Sequence, residues 1–231
     1  MNVIIPVFIN NEDTLQLTKN TIDSFGSEEF IIVDNNSSIG GGYVRSISTI
    51  YIRNKENLGY AKAVNQGMKL SSGPIVIANN DIRVSPNWKE VTEEILKDDS
   101  VHSVHFRMTP YEISFAYGNL TALIGKERWC TGSFFVFRDS SFLFDENFFN
   151  SYDDWDISRR IRLAGKKTVY TNKACYQHNF SFTQLQIPNR SKNNEKNKEY
   201  FKKKWGDYAE NLFTKDFPNQ MAEDYQKGFE I

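Results

Sequence analysis

Short apolar runs recur through the first hundred residues, and stretches with helical spacing fill the gaps between them. VIIPVF (3–8), FIIVDN (30–35), TIYIRN (49–54) and PIVIANND (74–81) read as strands. Residues 12–25 place Leu15, Ile22 and Phe25 on one helical face, and residues 60–70 place Ala63, Gly67 and Leu70 on another. SSIGGGYV (37–44) reads as a Gly-rich loop. Ser85-Pro86 opens a further helix to about Lys97, since proline is tolerated in a first turn. The strand runs are apolar throughout rather than alternating, as in a parallel sheet covered on both faces. Strand and helix in this rhythm predict βαβ units.

Beyond Val101 the rhythm breaks. VHSVHF (101–106), GSFFVFR (132–138) and KTVYT (167–171) are strand candidates around one helix at about 154–164. Residues 184–198 are polar and read as a flexible loop, with one or two helices over 195–213. The expectation is an α/β fold, a mostly parallel sheet flanked by helices with a mixed C-terminal half. It forms a single domain over 1–213, with a nucleotide-binding half (1–100), a second half completing the site (101–190), and a basic helical extension (191–231).

Composition narrows the function. Hydrophobic residues at 39% and aromatics at 14% supply a sizeable core, which argues against disorder. A net charge of −1 speaks against a nucleic-acid binder. The stretch from Arg190 to Lys204 is nonetheless basic and carries Tyr200, Phe201 and, just beyond it, Trp205. It reads either as a membrane-surface or acceptor-binding element, or as a solvated helix packing its aromatics on the domain. Cys130 and Cys175 form no CxxC pair, so free thiols are expected, Cys130 as a small core residue. NVIIPVFI is too short for a signal peptide, and no apolar run approaches the roughly 20 residues that span a bilayer. A soluble, cytoplasmic protein is the expectation.

Candidate chemistry gathers at the strand ends. The second ends in Asp34-Asn35-Asn36, the third in Arg53-Asn54 and the fourth in Asn79-Asn80-Asp81. Turn preference accounts for any one of these. Three neighbouring ends predict a ligand site, because open parallel sheets bind ligands beyond their carboxyl ends. Neither G-x-G-x-x-G nor a P-loop is present, and IGGGY (39–43) reads as a hinge. A ligand phosphate therefore needs another counter-charge, which Mg2+ or Mn2+ at Asp81 supplies. No G-x-S-x-G elbow supports serine chemistry.

SYDDWDISRR (151–160) has two readings. Acidic residues at a helix start with Arg159, Arg160 and Arg162 further along complement the helix dipole. Asp153 and Asp156 approximate a capping box, Ile157, Ile161 and Ala164 form an inward stripe, and Gly165 stops the helix. Trp155 between carboxylates, after the aromatic-rich FDENFFNSY, points instead to a semi-buried end suited to sugar recognition or to core packing. His102 and His105 lie three apart in a strand, so they should point to opposite faces and have no site role.

IIPVFINNEDTL, IIVDNNSS, NKENLGYAKAVNQGM, IANNDIRV, TGSFFVFR, FDENFFNSYDDWDISRRIRLAGKK, YQHNFSFT and YFKKKWG follow one another in a set order. That order resembles family 2 glycosyltransferases of the GT-A fold, which include bacterial rhamnosyl- and glucosyltransferase-like proteins. The resemblance runs from Val3 to about Gly206. It implies that Asp34 accepts the N3–H of a uracil or thymine, with Pro6 and Phe8 lining the same pocket. Asn57, Gly59, Tyr60, Lys62 and Asn65 then pack beside the donor. Asn79-Asn80-Asp81 takes the D-x-D place, with Asp81 a metal ligand and Asn79 leaving one charge fewer than an aspartate. His178 completes the metal site or meets phosphate, against the alternative of a core histidine beside Tyr176 and Phe180.

Asp153-Asp154-Trp155-Asp156 matches the acidic catalytic motif, with Asp153 in place of the usual Glu and Asp154 as general base. Arg159 or Arg160 orients the base or meets the phosphates. The implied reaction inverts the sugar as it moves from a UDP- or dTDP-linked donor to an acceptor hydroxyl on a glycan, a lipid-linked glycan or another molecule. Two other classes compete: a nucleotidyltransferase, which needs a Gly-rich, Arg-bearing loop that residues 8–14 lack, and a non-catalytic nucleotide-sugar or partner-binding relative.

Overall fold

The computed structural model describes residues 1–109, 133–179 and 190–209. β1 (Asn2–Val7), β2 (Glu29–Asp34), β3 (Ile50–Arg53) and β4 (Ile75–Ala78) run parallel in the order β3-β2-β1-β4. Along β1, β2 and β4 the side chains alternate between two buried faces, while β3 at the edge is half-buried. Val3, Ile5 and Val7 join one core and Ile4 the other, which is why these strands are apolar throughout. The helices of this half are α1 (Glu12–Phe25), α2 (Gly41–Ile47), α3 (Tyr60–Met68) and α4 (Trp88–Ile95). Asn11 caps α1 by accepting the Thr14 N–H at 2.9 Å. Gly67 lets α3 approach β1, because a Cβ there would meet Ile4 Cγ2 at 2.7 Å.

The sheet then turns mixed. β7 (Phe134–Phe137) pairs antiparallel with β4, followed by β6 (Val101–Thr109), β8 (Lys167–His178) and β5 (Ile82–Val84) at the far edge. Phe25 meets Trp88 and Phe134 edge-on, at 5.4 and 5.8 Å, in the first core. Phe135, Phe137, Phe144, Ile157 and Ile161 build the second, under α5 (Asp153–Leu163). A third cluster joins Phe148 and Phe201 with Tyr152, Trp155 and Trp205, and seats α6 (Arg190–Trp205) across the start of α5. No helix among the described residues is long and apolar enough to cross a membrane.

Several expectations change. The Gly-rich stretch is not all loop: α2 begins at Gly41, and the burial of Val44 outweighs the weak helix propensity of glycine. α3 ends at Met68, so Leu70 falls past its last turn and is exposed. The run 74–81 is two strands. It leaves the parallel sheet at Ala78, turns through Asn79–Asp81 and pairs with β8 as β5.

Residues 190–198, expected within a flexible loop, are helical, with Asn197 and Phe201 buried four apart. Residues 184–189, Phe180 and Cys130 lie outside the described residues. Ala164 is exposed at the end of α5, where the Lys166 and Gly165 N–H groups close a Schellman motif on Ile161 and Arg162. The β6–β8 register shifts between Val101 and Ser103, which breaks the strand's alternation. His102 therefore packs on Phe137 and His105 on Phe135, both towards the second core rather than to opposite faces. Burial lowers both ring pKa values, that of His105 to about 3, so both are neutral core residues.

Candidate active site

Leaving the sheet at Ala78 creates the first part of the site. The Asn79 N–H bonds Ser133 O at 2.8 Å, and the Asp81 carbonyl accepts from the Asn179 N–H at 2.9 Å. Because Ile82 pairs with His178, the imidazole reaches the turn: its Nε2 lies 3.2 Å from Asp81 Oδ1, and its Nδ1 lies 3.3 Å from Ser133 Oγ. The Asp81 and His178 side chains are only 3% and 8% exposed. Asn79 Oδ1 is buried without a hydrogen-bond partner, and Asn80 Nδ2 donates to Thr18 Oγ1 at 2.9 Å. A carboxylate oxygen, an imidazole nitrogen and an unspent amide oxygen are a fitting donor set for Mn2+ or Mg2+. Among the described residues no three His, Cys, Asp or Glu side chains cluster as a metal site.

Two strands away, Asp34 ends β2 wholly buried. Its Oδ1 accepts the Ser37 N–H at 2.7 Å, and its Oδ2 accepts the Tyr51 hydroxyl at 2.7 Å and the Arg53 guanidinium. Arg53 also donates to Ser37 O at 2.8 Å, so the carboxylate is held by its own loop and by β3. Pro6 and Phe8, at and just past the end of β1, are half-buried.

The Asn57–Tyr60 segment joins the two halves. Asn57 Oδ1 accepts the Gly59 N–H at 2.9 Å, and Asn35 Nδ2 donates to Gly59 O at 3.2 Å. Gly59 has φ 85°, and a Cβ there would meet Phe149 O at 2.6 Å. The Tyr60 N–H then bonds Phe149 O at 2.7 Å and Asn150 Oδ1 at 2.9 Å. Asn65 is buried one helical turn on. Its amide donates to Phe144 O at 2.9 Å and Glu146 Oε1 at 3.0 Å, and its carbonyl accepts the Phe144 N–H at 2.9 Å. Asn65 thus fixes the 144–146 segment, while Lys62 is exposed.

The chain enters α5 through Tyr152, a non-glycine residue at φ 66°. The expected capping box is absent, because Asp153 and Asp156 are drawn elsewhere. Asp153 is buried, its Oδ1 accepting the Asp154 N–H at 3.1 Å and its Oδ2 without a hydrogen-bond partner. Burial, then the charge of Asp154, pushes the Asp153 carboxyl up to about 8. Asp156 turns to α6, accepting from Trp205 Nε1 at 3.0 Å and pairing with Lys204 at 2.6 Å, while Arg160 Nε holds its other oxygen at 2.8 Å.

Asp154 is half-buried, its Oδ1 accepting the Trp155 N–H at 2.9 Å. Trp155 packs edge-on to Phe201 at 5.9 Å. The guanidinium of Arg159 lies over the rings of Trp205 and Tyr208 at 4.9 and 3.4 Å. Arg160 is bonded to Asp156 and to Leu143 O at 2.7 Å, whereas Arg159 stacks on the Trp205 and Tyr208 rings.

Tyr60 brings these pieces together. Burial raises its hydroxyl pKa well above 10, and Asp153, Asp154 and Asp81 all add to that rise. The Tyr60 backbone N–H ties α3 to the Phe149–Asn150 segment that leads into α5. The strand-end pattern and the acidic motif were readable as sequence; the supporting residues Asn150, Thr18, Thr21 and Lys204 were not picked out. Thr14, Thr18 and Thr21 stand at helical spacing, and that periodicity was the available signal.

A parallel half-sheet with acids at its carboxyl rim, continued by a mixed half, is the GT-A architecture. GalNAc-T7, solved with UDP, GalNAc and Mn2+, superposes with a TM-score of 0.63 at 15% identity, over 77% of this chain and 43% of that one. S. aureus TarS 1–349 superposes at 0.58 and 12% identity, over 93% of this chain and 74% of that one. The same protein in complex with UDP-GlcNAc gives 0.61 at 11%, over 80% and 60%. This chain thus spans less than half the length of GalNAc-T7. A search of curated protein sequences gave no match. Residues 2–135 match the model of glycosyl transferase family 2, and the chain belongs to that family.

Proposed function

We propose that this chain is an inverting glycosyltransferase, moving a sugar from a UDP- or dTDP-linked donor to an acceptor hydroxyl. One arrangement carries the reading: Asp81 and His178 pair at 3.2 Å at the β4–β5 turn as a candidate cation site, and Asp154 stands half-buried at the start of α5, whose leading segment the Tyr60 N–H ties to the parallel half through Asn150 Oδ1 at 2.9 Å. Relatives in fold solved with UDP or UDP-GlcNAc support a nucleotide-sugar donor.

The pyrimidine sits by Asp34, Pro6 and Phe8, with Asn57 and Gly59 beside the donor and its diphosphate directed to Asn79, Asn80 and Asp81. Asp154 accepts the proton of the acceptor hydroxyl as that oxygen bonds to C1 of the sugar. The C1–oxygen bond to the diphosphate breaks, its electron pair leaving with the nucleoside diphosphate. Attack from the opposite side inverts C1. A base so placed contributes about 10²–10⁴-fold. Burial and the charge of Asp154 both raise the Asp153 carboxyl, which disfavours a second negative charge beside Asp154. Trp155 and Arg159 flank the acceptor side. Asp81, His178 and the Asn79 amide oxygen would hold Mn2+ or Mg2+, which would offset the charge of the departing diphosphate.

Calorimetric titration of UDP with and without Mn2+ tests the donor half. Mn2+ is expected to strengthen UDP binding to the parent, and Asp81→Ala to lose that gain. Equal Mn2+-dependent binding by parent and variant contradicts the assignment of Asp81.

A further inference from the structure

The buried threonines of α1 have no part in the reaction just described, yet they grip the turn that carries Asp81. Thr14, Thr18 and Thr21 are fully buried on the inward side of α1. Thr21 Oγ1 donates to Ile82 O at 2.8 Å and accepts the Ile82 N–H at 3.1 Å. One hydroxyl thereby engages both backbone polar groups of the residue after Asp81. Thr18 Oγ1 donates to Thr14 O at 2.8 Å and accepts Asn80 Nδ2 at 2.9 Å, engaging the residue before Asp81. Because the Thr18 proton is spent on its own helix, its lone pairs are left to face Asn80. With the Asp81 carbonyl bound to the Asn179 N–H, the turn is held before, at and after the aspartate.

Packing alone does not call for threonine here. Valine has nearly the same shape and buries without the cost of desolvating a hydroxyl. What threonine adds at 18 and 21 is direction, given to the two neighbours of one carboxylate. We infer that Thr18 and Thr21 are positioning residues that aim the Asp81 carboxylate at the His178 imidazole and so set the affinity for a divalent cation. This rests on the reading of Asp81 as a cation ligand. Ser24 supplies a comparison within the same helix: its Oγ accepts the Val84 N–H at 3.2 Å, tying α1 to β5 beyond the turn.

The test is Mn2+ titration of the whole chain with UDP present, followed by electron paramagnetic resonance, beside thermal midpoints. Thr21→Val and Thr18→Val are expected to weaken Mn2+ binding by roughly tenfold or more, as losses around metal ligands do. Thr21→Ser is expected to restore it. Ser24→Ala is expected to lower the midpoint and leave Mn2+ affinity at the parent value. Asn80→Ala breaks the Thr18 bond from its other end and, titrated with Mn2+ without UDP beside the parent because Asn80 also faces the donor, is read in the same way, should a valine variant not fold. If Asp81→Ala abolishes binding while the valine variants and Asn80→Ala bind like the parent, the inference alone is overturned. If Asp81→Ala binds like the parent, the cation reading falls and the inference with it.

Discussion

At the scale of residues, two positions carry sharp expectations. Gly59 is required twice over, by its positive φ and by the Phe149 carbonyl against it. Gly59→Ala is expected to cost about 1–3 kcal/mol, read from urea denaturation, and to slow turnover by shifting the segment that leads to Asp153. Asp153 makes stability depend on pH. Its carboxyl titrates near 4 when unfolded and at about 8 in the fold, so between those values only the folded chain holds the proton. Its stabilising contribution is complete below about pH 4 and is lost as pH rises through 8. Asp153→Asn is expected to lose less stability than the parent between about pH 5 and 8, seen in thermal midpoints. Parallel curves for the two proteins contradict the buried, protonated state.

At the scale of elements, α6 is bonded to the first turn of α5, which carries Asp154. Lys204 lies 2.6 Å from both Asp145 and Asp156, so α6 bonds the loop before α5 and the first turn of α5 together. Asn197 adds a bond to Ser151 at 3.0 Å. This helix was hard to read in sequence because its inward stripe mixes Asn197, Tyr200, Phe201 and Lys204, leaving little apolar periodicity among lysines. Its aromatics pack on the domain, the second of the two readings of the basic stretch. Phe201→Ala should cost about 3–5 kcal/mol in denaturant unfolding. An unchanged unfolding midpoint contradicts the close seating of α6 on α5.

At the scale of the whole molecule, the parallel half was legible because its inner strands β1, β2 and β4 are buried on two faces. The strand order beyond β4 was not, since pairing of β5 with β8 depends on where the chain turns at Asn79–Asp81. The acidic pattern at 153–156 was legible as a motif but not in its division of labour. Asp156 is committed to α6, Asp153 is buried and Asp154 is left half-buried, and only the packing of Lys204, Trp205 and Phe148 decides this.

The central claim is that Asp154 is the base of a sugar transfer. Its most direct test is release of nucleoside diphosphate from a panel of UDP- and dTDP-sugars with Mn2+, in parent and Asp154→Asn. The parent is expected to turn over at least one donor, and the variant to bind UDP like the parent but react about 10²-fold or more slowly. Turnover by Asp154→Asn at the parent rate contradicts it.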